Sequence, residues 1–179
     1  MKILKGTHRA LALPQLISPL DGINVAVRFT PSCRYETNKP ENQADWNKLT
    51  GFTIGPFPSF KRGIKPPVHW NSVRFAWRFN DYLDCIEVSP YIYQDGVVHY
   101  YGKDMYLPMV ELEINKWYRF FIQMDVRGVV RFFIFDKKEC ILDYWIQYHA
   151  GDLSWICWPY FGGDETAPHT IDIDFEYVK

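Results

Sequence analysis

The chain has 179 residues, 47% of them hydrophobic and 18% aromatic, which is enough for one domain with a large core and too few for two ordinary ones. Its formal net charge of -1, from 20 basic and 21 acidic residues, supplies no global attraction to nucleic acid or to an anionic membrane surface. No run is long and apolar enough to cross a bilayer as a helix, so membrane insertion is not expected.

Met1 to Pro19 mixes basic and apolar residues and leads into ISPLDG, so residues 1–21 are expected as an N-terminal arm or edge strand, and 22–179 as a single β-sandwich domain. The opening MKILKGTHR is charged and lacks the apolar stretch of a secretory signal. The expectation is synthesis in the cytoplasm. GINVAVRFT (Gly22 to Thr30) alternates as a strand does, whereas PSCRYETNKPENQAD (Pro31 to Asp45) is polar and turn-rich and reads as a surface loop. WNKLTGFTIG resumes strand character. The next loop, PFPSFKRGIKPPVHW (Pro56 to Trp70), combines four prolines, three cationic side chains and several aromatics, and is read as a recognition loop.

Strands follow at Ser72 to Phe79 and at Cys85 to Tyr93, where Pro90 marks a bulge or an edge position. Asp95-Gly96 closes a hairpin into VVHYY. Glu111 to Ile114, Trp117 to Asp125 and Val129 to Asp136 read as a meander, with Arg127-Gly128 as its last turn. Cys140 to Ile146, Leu153 to Phe161 and Thr170 to Val178 complete about ten strands, a number suited to two antiparallel sheets packed face to face.

The C-terminal run WPYFGGDETAPHTIDIDFE (Trp158 to Glu176) is the most informative. Aromatic bulk precedes Gly162-Gly163, and then Ile171, Ile173 and Phe175, directed into the core, alternate with Asp172, Asp174 and Glu176. With WNKLTGF, NSVRFAWRF and YIYQDG, this ending resembles the concanavalin A-like lectin/glucanase jelly rolls of Bacteroidota surface proteins and their phages. The resemblance spans roughly Gly22 to Lys179 on pattern and implies an all-β, two-sheet antiparallel jelly-roll sandwich with little helix. It carries over no catalytic residue.

Arg74 and Arg78 lie four apart on one strand, and Tyr91 and Tyr93 two apart on the next, so each pair shares a sheet face. With His69 and Trp70 from the neighbouring loop they form the expected ligand-binding set, because a sugar needs aromatic platforms and a few hydrogen-bonding groups around a groove. Trp77, Trp145 and Trp155 are further platform candidates. A polysaccharide-lyase reading could draw a base from His69, His99 or His149, but the RxExR, QIH and YFKxGxYxQ segments of alginate-lyase relatives are missing. The Asp172, Asp174, Glu176 ladder invites a glucanase reading. Strand geometry separates such carboxylates by about 7 or about 13 Å, against about 5 to 5.5 Å for a retaining pair, so a solvated acidic face is expected instead.

Asp164 and Glu165 are read as capping a turn rather than holding calcium, and His169 as fastening a turn through a backbone hydrogen bond. No metal or cofactor is expected. Cys33, Cys85, Cys140 and Cys157 form no CxxC pair and are expected as free, mainly buried thiols. The functional expectation is a non-enzymatic, lectin-like protein that binds carbohydrate or another protein, with a polysaccharide lyase or glycoside hydrolase of the same fold as the alternative. The expected partners are a glycan and neighbouring virion or surface-protein subunits, as in a phage decoration or adhesion protein tethered through residues 1–21.

Overall fold

The computed structural model describes residues 1–13, 15–54, 67–102, 107–148 and 154–178. Residues 56–66 of the expected recognition loop, and His149, lie outside the described residues. The described residues form two antiparallel sheets and no α-helix. One sheet holds six strands in the order β1 (Lys2–Ile3), β13 (Ile171–Tyr177), β3 (Ile23–Phe29), β9 (Trp117–Met124), β10 (Val129–Asp136) and β11 (Glu139–Gln147). The other holds seven: β2 (Leu16–Ile17), β12 (Ser154–Cys157), β4 (Asn47–Ile54), β5 (Ser72–Asn80), β6 (Cys85–Gln94) and β7 (Val97–Tyr100) in order, with β8 (Val110–Leu112) also on β6. Residues near the N-terminus thus supply an edge strand to each sheet.

Period-two alternation decides which side chains meet between the sheets. From the six-stranded sheet come Val25, Val27 and Phe29, then Tyr118, Phe120 and Ile122, then Val130, Phe132 and Ile134. The seven-stranded sheet answers with Phe52, Val73, Phe75, Trp77, Ile86, Val88 and Ile92. Phe75 sits edge-on to Phe120 at 5.0 Å and to Phe132 at 5.3 Å between centroids, a favoured aromatic geometry. Ile171 and Ile173 are fully buried, as the alternation predicts, and Phe175 is half-buried against the core rim. Tyr177 is exposed, since the strand there has run past the core.

Three expectations are corrected. Glu111 to Ile114 does not open the meander: β8 pairs with β6 in the opposite sheet, while β9, β10 and β11 are the hairpin-linked strands. Pro90 is neither at a bulge nor on an outer strand. It pairs with Phe75 across β5, and on its other side it falls in the gap between β7, which ends its pairing at Tyr91, and β8, which reaches only Val88; a missing N–H is tolerated there. Finally, all four thiols are free but only Cys33 and Cys157 are buried, with Cys140 exposed. Cys140 faces out where β10 and β11 slip register between Ile134 and Phe135.

The Asp172–Glu176 ladder occupies the outer side of the six-stranded sheet. Asp174 is paired with Arg28 at 2.6 Å, and Asp172 with the N-terminal ammonium and Lys2. His169 Nε2 lies 2.8 Å from the Ser32 carbonyl oxygen, fastening the turn before β13 as expected. Glu165 accepts hydrogen bonds from the Asn38 and Lys39 backbone and from the Asn38 and Asn42 side chains. It therefore pins residues 38–42 rather than a metal.

Candidate functional site

The site lies on the side of the seven-stranded sheet turned away from the core, where β4, β5 and β6 run together. Cross-strand pairing places Lys48 opposite Ala76, Arg74 opposite Gly51 and Tyr91, and Arg78 opposite Glu87. Trp46, Ala76 and Tyr91 form a second, smaller apolar cluster on this face, and Tyr93, Val98, Tyr100 and Met109 pack around it. A cavity of about 460 Å³ opens above it, walled by Asp45, Trp46, Lys48, Arg78, Tyr91, Tyr100 and Tyr101.

Two glycines make this approach feasible. A Cβ on Gly51 would stand 2.1 Å from the Val73 carbonyl oxygen and 2.5 Å from the Arg74 Cα, so only glycine lets Arg74 lie flat against β4. Gly163 has a φ of +71°, and a Cβ there would stand 2.0 Å from the Asp45 carboxylate.

The three cations differ in how they are satisfied. Arg78 donates from Nε to Glu87 and from Nη1 to the Ala44 carbonyl at 3.0 Å, while its guanidinium lies 4.5 Å from the Trp46 ring centre. Glu87 is buried and also accepts from Asn80 at 2.7 Å. Arg78 and Glu87 therefore neutralise each other. Arg74 is only 5% exposed, yet among the described residues its guanidinium makes one hydrogen bond, a long 3.4 Å contact to the Val68 carbonyl, and its Nε has no partner. Among the described residues no carboxylate forms an ion pair with Arg74 or with Lys48. Both cations lean on the same ring: Lys48 Nζ is 4.3 Å, and the Arg74 guanidinium 5.5 Å, from the centre of Tyr91, a cation–π contact that offsets part of the desolvation.

Burial and then the neighbouring Arg74 charge push the Lys48 ammonium down to about 7, against a smaller opposing pull from Asp45. Burial raises the Asp45 carboxyl, opposed chiefly by Lys48. Tyr91 is also raised, first by burial and then by Tyr93, so its phenol stays protonated at neutral pH. The cavity thus offers aromatic side chains, a phenol, and an amine whose proton is held far less tightly than an ordinary lysine's.

Arg74, Arg78, Tyr91 and Tyr93, named from the sequence, do share this face. Tyr91 and Arg78 reach the cavity wall, Arg74 lies behind Tyr91, and Tyr93 sits to the side, 5.9 Å from Tyr91 between centroids. His69 and Trp70 are exposed next to Tyr93 and the Asp95-Gly96 hairpin, with His69 edge-on to Tyr93 at 5.4 Å and Trp70 packed over Gly96. Neither lines the cavity. Trp77 is core, and Trp145 is exposed on the other sheet.

Lys48, Trp46, Asp45, Tyr100 and Tyr101 were missed. In β4 the register slips between Lys48 and Thr50, so the residues facing outward are 48 and 51 rather than alternate positions. Alternation read from the sequence therefore cannot put Lys48 on the Arg74 face. A second cavity, of about 400 Å³, is lined by Glu113, Lys116 and Asp136. Lys116 bridges both carboxylates, at 3.0 and 2.8 Å, and with Glu111 also in the lining the cluster keeps an excess of negative charge.

No family model matches the chain, and no curated protein does. Among solved structures, a functionally unknown protein from Saccharomyces cerevisiae is similar at a TM-score of 0.44 and 11% identity, over 93% of this chain and 74% of that one. A likeness that loose bears on neither fold nor function.

Proposed function

We propose that the protein is a non-enzymatic, lectin-like β-sandwich that binds carbohydrate on the outer face of its seven-stranded sheet. The observation that carries this reading is the cavity in which Trp46, Tyr91, Tyr100 and Tyr101 are gathered beside Lys48 and Arg78. Sugar rings stack their C–H faces on such platforms, and the polar heads between them supply orientation. A fully apolar pocket would have no use for cations at its wall, because each costs desolvation energy to keep there.

A glycan-array screen of the whole chain, followed by a product assay on every hit, tests the reading. Tyr101→Ala should weaken retention of any hit at least tenfold without changing the fold, since Tyr101 is 39% exposed. Arg78→Ala should weaken it as well, and no glycan should be turned over. Unsaturated uronate products absorbing in the ultraviolet would overturn this in favour of a lyase. A folded protein that retains no glycan would remove the carbohydrate reading altogether.

A further inference from the structure

The unpaired Arg74 says more about the ligand than the aromatic walls do. A guanidinium that is 5% exposed, with an unpartnered Nε and no carboxylate in ion-pair range among the described residues, is an uncompensated buried charge, which proteins keep only where something answers it. Lys48 stands on the same Tyr91 ring; its Nζ donates to the Trp46 carbonyl and forms no ion pair among the described residues. Asp45 is the one carboxylate among the described residues lining the cavity, against Lys48 and Arg78 in the wall and Arg74 behind it. Glu87 is already consumed by Arg78 and Asn80. With Arg78 and Glu87 neutralising each other, Lys48 and Arg74 outnumber Asp45 among the described residues, and the face keeps a small excess of positive charge beside the cavity.

We propose that Lys48, backed by Arg74 and beside the Glu87-paired Arg78, forms an anion seat in this cavity and that the ligand is an acidic saccharide. Binding of the anion would then favour the charged form of Lys48. This rests on the carbohydrate reading above and names the class of sugar it takes.

The groups facing Lys48 set the sign of that coupling. Asp45 lies just before its strand, β4; Arg74 and Arg78 face it from β5, Glu87 and Tyr91 from β6, and Tyr100 and Tyr101 from β7 and the residue after it. Tyr160, which exchanges backbone hydrogen bonds with Lys48, carries the stacked His8 ring, and Asp164 and Glu165 act on Asp45. The burial and the cations outweigh Asp45 and hold the amine well below the usual lysine range. An anionic oxygen against Nζ favours the ammonium. Ligand affinity must then fall as pH rises above neutrality.

Titration calorimetry on the full chain at about pH 7, in Hepes and in imidazole, tests the proposal with trigalacturonate, a sulfated disaccharide and neutral galactotriose as probes. The expected result is at least tenfold tighter binding of an acidic probe than of the neutral one, with a net uptake of protons; which acidic probe wins identifies carboxylate or sulfate as the anion. Lys48→Arg should keep the preference and lose the uptake, and Lys48→Met should lose both. Equal affinity for acidic and neutral probes would overturn the anion seat while leaving the carbohydrate reading in place. An acidic preference that survives Lys48→Met would also overturn the proposal. If no saccharide binds, both readings fall.

Discussion

Lys48 makes stability depend on pH in a direction opposite to that of an ordinary ion-paired lysine. In the folded chain its ammonium titrates at about 7, against a value of 10.5 when unfolded. Below neutrality both states are protonated and the folded state carries the full burial penalty. As pH rises through 7 the folded amine loses its proton while the unfolded one keeps it, so the penalty is relieved. From about pH 7 to about pH 8.5 this amounts to about 1.6 kcal/mol gained by the folded state. Cys33, Cys85 and Cys157 work the other way, because burial raises each of these thiols above its ordinary 9.0. Their ionisation in the unfolded chain alone withdraws about 0.5 kcal/mol over the same interval. The wild type should therefore become more stable by about 1 kcal/mol. Urea denaturation under reducing conditions measures it. In Lys48→Met the rise should disappear and leave only the shallow decline from the thiols. Parallel pH profiles for wild type and variant would show that Lys48 is an ordinary lysine, and would remove the proton linkage from the anion seat.

Two further outcomes test the packing around the site and the cysteines. Gly51→Ala should destabilise by about 3 kcal/mol, at the upper end for overpacking, because the new Cβ meets backbone atoms at 2.1 and 2.5 Å that no rotamer change can move; an unchanged urea midpoint would mean that β4 and β5 are not this close. Cys140 should react with an aromatic disulfide reagent in the native protein, whereas Cys33 and Cys157 should react only on unfolding. Peptide mapping that finds Cys33 labelled as fast as Cys140 would contradict its burial.

The two-sheet sandwich was legible in the sequence because alternation is a local property. A strand with one face in a core must place apolar residues at every second position, and β3, β9, β10 and β13 do so without interruption. The Asp95-Gly96 hairpin was legible for the same reason, since both residues adopt positive φ within a two-residue turn. The co-facial Arg74/Arg78 and Tyr91/Tyr93 pairs followed from strand periodicity alone. Which strands become neighbours is not local: β8 looks like part of the meander yet pairs with β6, and Pro90 is accommodated only because two short strands leave a gap beside it. The cavity depended on the same kind of information. Lys48 reaches the Arg74 face through a register slip, Asp45 and Trp46 are brought in against Gly162-Gly163 from the far end of the chain, and Tyr101 arrives from beyond a hairpin. Residue order sets the inward or outward direction of each side chain, whereas the charge environment that lowers Lys48 and leaves Arg74 unanswered exists only once separate strands are packed edge to edge.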